Sequence, residues 1–254
     1  MSLSLAQATT DKVIVTNPLT FGAGAAFSYV QWVKQRAAPG GSQGTGKGGF
    51  DFFVFSGGSG LWFAEIGRAG GAAIGTYTNS DLFPDTDWSY IVVTYSEGNG
   101  VRMYRGSFTI APAILTQSSG STNGSGNTNS DTGDLWIGNR GSGTSLSPAH
   151  DIALVELWPI ELTAAQIVAR WGGSLLTTAP SMRLLLGDNG TGTQPDLSGN
   201  GKSGTVTGTT QIANPPWPRR WGRRVVVSPY EFTAPPVGGT SQYYYSRRRL
   251  WEAA

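Results

Sequence analysis

Hydrophobic and polar residues of the first 160 positions fall into short runs, most with the two-residue alternation of strands. Nine such runs are predicted strands: Lys12–Thr16, Phe27–Arg36, Phe50–Phe55, Leu61–Gly67, Ala72–Thr78, Trp88–Tyr95, Val101–Gly106, Asp134–Asn139 and Asp151–Trp158. They are rich in Val, Ile, Phe, Tyr and Trp, which suit a pleated, half-buried surface. Turn signals stand between them. Glu97-Gly98-Asn99-Gly100 contains Asn-Gly, which supplies the positive φ angles of a tight hairpin, and Gly57-Gly58-Ser59-Gly60 is a second turn. Many short strands with such turns predict an all-β fold, an antiparallel β-sandwich. One short helix is expected. Thr163 caps it, Gln166 completes a capping box, Ile167 and Trp171 recur at helical spacing, and Gly172-Gly173 stops it.

Two strands depart from clean alternation. In Trp88–Tyr95, Trp88, Tyr90, Val92 and Thr94 lie on one face and Ile91, Val93 and Tyr95 on the other. Phe50–Phe55 is apolar on both faces in the same way. A sandwich strand with one wet face alternates instead, so something must cover the outer face: a long loop, the C-terminal tail or another subunit. Two loops, the Gly-rich Ala37–Gly49 and the Ser-, Asn- and Gly-rich Gln117–Gly133, can bury little and are expected to lie exposed.

Composition narrows the class. Charged residues make up 13% of the 254 positions, about half the usual share, and 37 are Gly. This excludes a coiled coil or helical bundle, and the recurring aromatic runs exclude disorder throughout. There is no Cys and a single His, His150, so no disulfide framework, thiolate metal site or multi-imidazole site is available. Residues 1–10 lack the basic and apolar regions of a secretory signal, and no apolar run nears the roughly 20 residues of a membrane span.

The net charge of +2 hides an asymmetry: residues 215–254 hold seven Arg against two Glu, whereas the rest of the chain is slightly acidic. This arm carries Trp217, Arg219, Arg220, Trp221, Arg223, Arg224, Tyr243, Tyr244, Tyr245, Arg247, Arg248, Arg249 and Trp251. Arg interleaved with rings can hold phosphates and stack bases. It is also the mix enriched at protein–protein hot spots, and the modest charge favours a docking arm over nucleic-acid binding.

Motifs for catalysis are weak. Gly41–Gly48 nearly matches a phosphate-binding loop, but Gly48 replaces the Ser or Thr that would hold magnesium, and a strand pattern follows where a helix is needed. Asp151 and Glu156 are five apart, so on a regular strand they point to opposite faces and cannot share a cleft as a glycosidase pair. Asp81, Asp85 and Asp87 read as a turn, although calcium could use such oxygens. No serine elbow accompanies His150, which reads as an ordinary polar residue at a strand start.

Several segments in order resemble the laminin G-like, concanavalin A-like jelly-roll family. They are Phe27–Lys34, Trp88–Tyr95 with Val101–Gly106, Leu135–Gly138, and Ile152–Trp158 with Leu162–Ile167. The resemblance covers about residues 10–175. Pro195-Asp196-Leu197-Ser198-Gly199-Asn200-Gly201 is similar to a segment common in such proteins, placed here as in a group of phage and bacterial proteins. With the jelly roll that the resemblance implies, a domain over residues 1–178 is expected, followed by a Gly-rich segment 179–214 packing on it and the basic, aromatic arm 215–254. The family includes glycan binders, adhesion modules and virion surface proteins, and fold alone does not choose among them. Neither its calcium ligands nor a glucanase acid cluster can be carried over, so no catalytic residue, metal or cofactor is expected. The expected function is a non-enzymatic structural protein on a phage virion surface, docked by its arm to other virion proteins and to copies of itself. Nucleic acid and membranes are not expected partners. The alternative is a lectin-like module binding polysaccharide, with Trp62, Trp88 and Trp136 as candidate glycan contacts.

Overall fold

Period-two patterning builds two antiparallel sheets, and their buried faces meet. The computed structural model describes residues 2–5, 11–19, 25–36, 45–47, 52–56, 62–67, 73–79, 87–119, 133–138, 150–187 and 192–212. The chain divides into two units, Met1–Pro218 and Arg219–Ala254, and every described residue belongs to the first.

In chain order the elements are β1 (Ser2–Leu5), β2 (Lys12–Val15), β3 (Phe27–Gln35), β4 (Thr45–Lys47), β5 (Phe52–Ser56), β6 (Trp62–Gly67), β7 (Ala73–Asn79), β8 (Trp88–Ser96), β9 (Gly100–Gly106), β10 (Ala113–Ile114), β11 (Gln117–Ser119), β12 (Leu135–Ile137), β13 (His150–Trp158), α1 (Ala164–Trp171), β14 (Met182–Leu185), β15 (Gly204–Thr207) and β16 (Thr210–Ile212). Sheet I runs β10-β9-β8-β3-β13-β1-β16, with β14 also paired to β13. Sheet II runs β11-β7-β6-β5-β4-β12-β2-β15. The core between them includes Leu3, Val13, Val15, Tyr29, Val93, Met103, Leu135, Ile152 and Leu184.

All nine expected strands are present, displaced by at most a few residues. The β8–β9 hairpin pairs Ser96 with Gly100, so three residues form the loop. Gly100 alone supplies the positive φ, at 67°, and the Asn99 N–H donates to Ser96 O at 3.2 Å. Two expectations need correction. Ala37–Gly49 was expected to be exposed, yet Thr45–Lys47 forms β4 between β5 and β12, with Thr45 and Gly46 buried. Tyr29 explains this: its hydroxyl donates to Gln31 Oε1 at 3.0 Å and lies 3.1 Å from Thr45 Oγ1, tying the two sheets together through the interior.

Residues 179–214 were expected to pack on the sandwich. They enter it: β14 pairs with β13, β15 with β2 and β16 with β1. Gly204 opens β15 where the two sheets come close. A Cβ there would stand 2.6 Å from Val13 Cγ1 of sheet II and 3.1 Å from Leu184 Cδ1 of sheet I, so only glycine fits.

The sheets differ in their outer faces. In sheet II, β2 and β12 alternate buried and accessible positions, as a half-wet sheet does. In sheet I, β13 is buried throughout, and so is β8 except for its last residue. Helix α1 and residues 107–112 answer the question of cover. Phe108 stacks on Trp32 at 4.6 Å between ring centroids, and Trp32 meets Tyr90 at 5.1 Å. Ile167 and Arg170 are the buried residues of α1. Trp171 Nε1 donates to Ser107 O at 2.7 Å, clasping helix to loop. Ser28 on β3 donates to Ile160 O at 2.9 Å and accepts from Leu162 N at 2.8 Å, fixing the approach to the helix. Leaving Val30, Val92 and Leu154 in water would forfeit about 1.5–3 kcal/mol each, which is the drive for this cover. The helix has the expected capping box between Thr163 and Gln166. It ends in a Schellman turn, with Ser174 N donating to Ala169 O and Gly173 N to Arg170 O, both at 2.9 Å, and Gly173 at φ 84°.

Candidate functional site

Carboxylates come first, because chemistry on glycans needs them. On β13 the pairing to β3 shifts between Ile152 and Leu154, so Ala153 forms a β-bulge. Ile152 and Val155 therefore both face the core, three residues apart. The bulge moves Asp151 and Glu156 onto the same outer face, which corrects the expectation that they point apart. Neither is free to act as an acid or base. Asp151 Oδ1 lies 3.0 Å from Arg36 Nε. Glu156 is fully buried and accepts from Arg170 Nε at 2.9 and 3.1 Å, from Arg170 Nη2, and from Trp158 Nε1 at 3.3 Å. Arg183 Nε adds an ion-pair contact at 3.2 Å. Burial acts against the charged form of both arginines, yet Glu156 still holds Arg170 above the usual guanidinium value, whereas Arg183 falls below it.

His150 is the first residue of β13 and is 2% exposed. Burial, then the charge of Arg36, pushes its imidazole down to about 3, so it is neutral at neutral pH. Among the described residues, no group of three or more His, Asp or Glu gathers where it could hold a metal ion. The near-match to a phosphate-binding loop contains strand β4 at Thr45–Lys47, where a nucleotide site would require a helix to begin.

The three candidate tryptophans have different fates. Trp88 opens β8 on the outer face of sheet I and is only 8% exposed, which leaves little surface for a sugar. Trp62 opens β6, and its side chain lies outside the described residues. Trp136 is the middle residue of β12, half-buried on the outer face of sheet II, in register with Ile14 on one side and Gly46 on the other. The Lys12 ammonium stands 4.5 Å from its ring centroid, a cation–π contact. The arm residues Trp217, Arg219, Arg220, Trp221, Arg223, Arg224, Tyr243, Tyr244, Tyr245, Arg247, Arg248, Arg249 and Trp251 all lie outside the described residues.

A groove of about 580 Å³ opens at one end of the sandwich, lined by Asn17, Pro18, Leu19, Pro159, Ala179, Pro180, Ser181, Asn200 and Lys202. Its size is within the range of small-molecule sites. Its walls are mostly proline and aliphatic, and its polar groups are amides, one hydroxyl and one ammonium. Asn200 and Lys202 line one wall, and Asp196 behind them fixes their loop. Asp196 Oδ1 accepts from Arg183 N at 3.0 Å and Ser198 N at 2.9 Å, and Oδ2 accepts from Lys202 N at 2.8 Å. Although partial burial opposes its charge, these bonds hold the Asp196 carboxyl below the usual carboxylate range. Asn200 Nδ2 then donates to Pro180 O and Ser181 O at 3.2 and 3.1 Å. The opposite wall begins at Asn17, whose φ of 37° is the left-handed value that Asn tolerates, and whose N–H donates to Asp134 Oδ1 at 3.3 Å. Sequence reasoning singled out the Pro195–Gly201 segment as a motif but did not name the groove. Its lining comes from four separate stretches that only the fold brings together.

The chain is thus a two-sheet antiparallel sandwich with a helix over one face. The family model described as the concanavalin A-like lectin/glucanases superfamily matches residues 7–168, and the chain belongs to that superfamily. No curated protein matches it at the level of sequence. Among solved structures, it is similar to a candidate carbohydrate-binding protein from Bacteroides ovatus, with a TM-score of 0.59 and 15% identity over 84% of this chain. The match spans 60% of that protein's length. Weaker likenesses are to Trypanosoma rangeli sialidase (TM-score 0.41, 18% identity, 58% of this chain and 23% of that one) and to a heptameric SAP-like pentraxin from Limulus polyphemus (0.39, 13%, 66% and 79%). At these identities the likeness concerns the fold.

Proposed function

We propose that this chain is a non-catalytic, lectin-like module that binds carbohydrate. The loop-end groove carries the reading. It has the volume of a sugar site, apolar walls for the faces of a pyranose, and amide, hydroxyl and ammonium groups for its hydroxyls, but no carboxylate in its lining. Glycoside hydrolysis needs two carboxyl groups flanking the bond, and the pair that β13 places on one face is neutralised by arginine. Membership of the superfamily and the fold shared with the Bacteroides ovatus protein support the same reading.

The expected role on a virion surface draws no support from these comparisons. One of its motives, the apolar outer strand faces, is met within the chain where β8 is concerned, by α1 and Phe108.

A glycan array on the full chain tests the proposal, followed by titration of any hit against Lys202→Ala and Trp136→Ala. Binding weakened about tenfold or more by Lys202→Ala, with Trp136→Ala unaffected, supports the groove. Loss through Trp136→Ala alone moves the site to the outer face of sheet II. Absence of any specific glycan refutes the proposal.

A further inference from the structure

Beneath α1, the outer face of sheet I gathers hydrogen-bond donors that have no acceptor among the described residues. Trp32 Nε1 and Tyr90 OH are fully buried, from directly opposed positions on β3 and β8, and neither has a partner among the described residues. Arg183 extends over the next row from β14, which pairs it with Glu156. Its side chain is 13% exposed, and its ion-pair contact, Nε at 3.2 Å from Glu156 Oε1, lacks the geometry of a hydrogen bond.

Glu156 is already committed to Arg170, whose Nε and Nη2 both donate to it. Two guanidinium groups thus share one carboxylate. Arg170 Nη2 and Arg183 Nε both face Glu156 Oε1, and among the described residues Arg183 has no ion pair with a second carboxylate. A buried uncompensated charge costs several kcal/mol. A water molecule would satisfy the donors but not the charge.

We propose that this face holds one small monovalent anion of the halide class, bound by the Arg183 guanidinium and the Tyr90 hydroxyl with the Trp32 indole N–H beside them. The single excess charge sets the valence. The cover formed by α1 and Phe108 favours a small ion, and the slight exposure of Arg183 gives a way in. The site is independent of the glycan groove and does not rest on that reading.

The test uses the full chain. Thermal unfolding is followed in sodium chloride, sodium bromide and sodium gluconate at equal ionic strength. Chloride and bromide raise the midpoint by about 3 °C or more at saturation, and gluconate does not. Arg183→Gln removes the excess charge: it is at least as stable as the parent in gluconate and shows no halide response. Tyr90→Phe keeps the ring packing and weakens the response at least threefold in halide concentration. Crystals grown in bromide show an anomalous peak within hydrogen-bonding reach of Arg183 and Tyr90. Equal midpoints in chloride and gluconate overturn the proposal, as does a halide response that survives in both variants. A bromide peak without a stability response marks an adventitious ion only and overturns it too.

Discussion

Replacing Glu156 by Gln removes a charge without changing the shape of the side chain. Glu156 is 0% exposed, accepts from both Arg170 and Trp158, and faces Arg183. The substitution leaves two guanidinium groups in a buried place with no counter-charge. Removing one partner of a buried pair costs about 3–5 kcal/mol. For a domain of this size about 2–4 °C is lost per kcal/mol, so the unfolding midpoint should fall by roughly 6–20 °C. Urea unfolding followed by tryptophan fluorescence, in gluconate, should show a lower midpoint at unchanged slope. Arg183→Gln is the control: it restores a one-to-one pair and should be at least as stable as the parent in gluconate. If Glu156→Gln loses under about 1 kcal/mol, or if the Arg183 variant loses as much as it does, the account of an over-cationic cluster held by one carboxylate is wrong.

Two further outcomes are expected. Gly204→Ala should destabilise by about 1–3 kcal/mol in chemical denaturation, because its Cβ would meet Val13 Cγ1 at 2.6 Å; a neutral result would mean that the sheets are not closely packed there. Asp196 titrates below its ordinary value in the fold, so its contribution is complete above the unfolded carboxylate pKa of about 3.9 and is lost as the pH falls through the folded value. Asp196→Asn should therefore cost about 1–3 kcal/mol at pH 7 through the donors left facing its new amide, and should flatten the acid limb of a stability–pH curve.

Much of the sandwich was legible because its central strands are long and strongly patterned. Trp88–Tyr95 and Asp151–Trp158 differ from β8 and β13 by one residue at one end. Thr163 and Gln166 announced the helix through a local rule that needs no tertiary partner. What escaped depends on partners far along the chain. Thr45–Lys47 is too short, and its Gly and Lys too poor as strand formers, to be read as a strand; it becomes β4 because β5 and β12 pair with it and Tyr29 reaches its first residue. The bulge at Ala153 leaves no mark in the sequence, yet it reverses which face Asp151 and Glu156 share. The apolar outer face of β8 was legible, and a long loop, the tail or another subunit was expected to cover it; a loop residue, Phe108, does so, together with α1, which was not among the covers considered. The groove could not be read, because Asn17, Pro159, Pro180 and Lys202 meet only in the fold.

The interleaving of β14, β15 and β16 bears on how the molecule is made. A nascent chain that has emerged from the ribosome only as far as α1 already carries the whole stretch that the superfamily model matches, residues 7–168. It still lacks Met182, Leu184 and Leu186 from its interior, and the borders of β1, β2 and β13 stand bare. Such borders recruit strands from other molecules. Completion therefore waits until residues 182–212 have been made, and a gene fragment trimmed to the recognised match should aggregate instead of giving a smaller working copy.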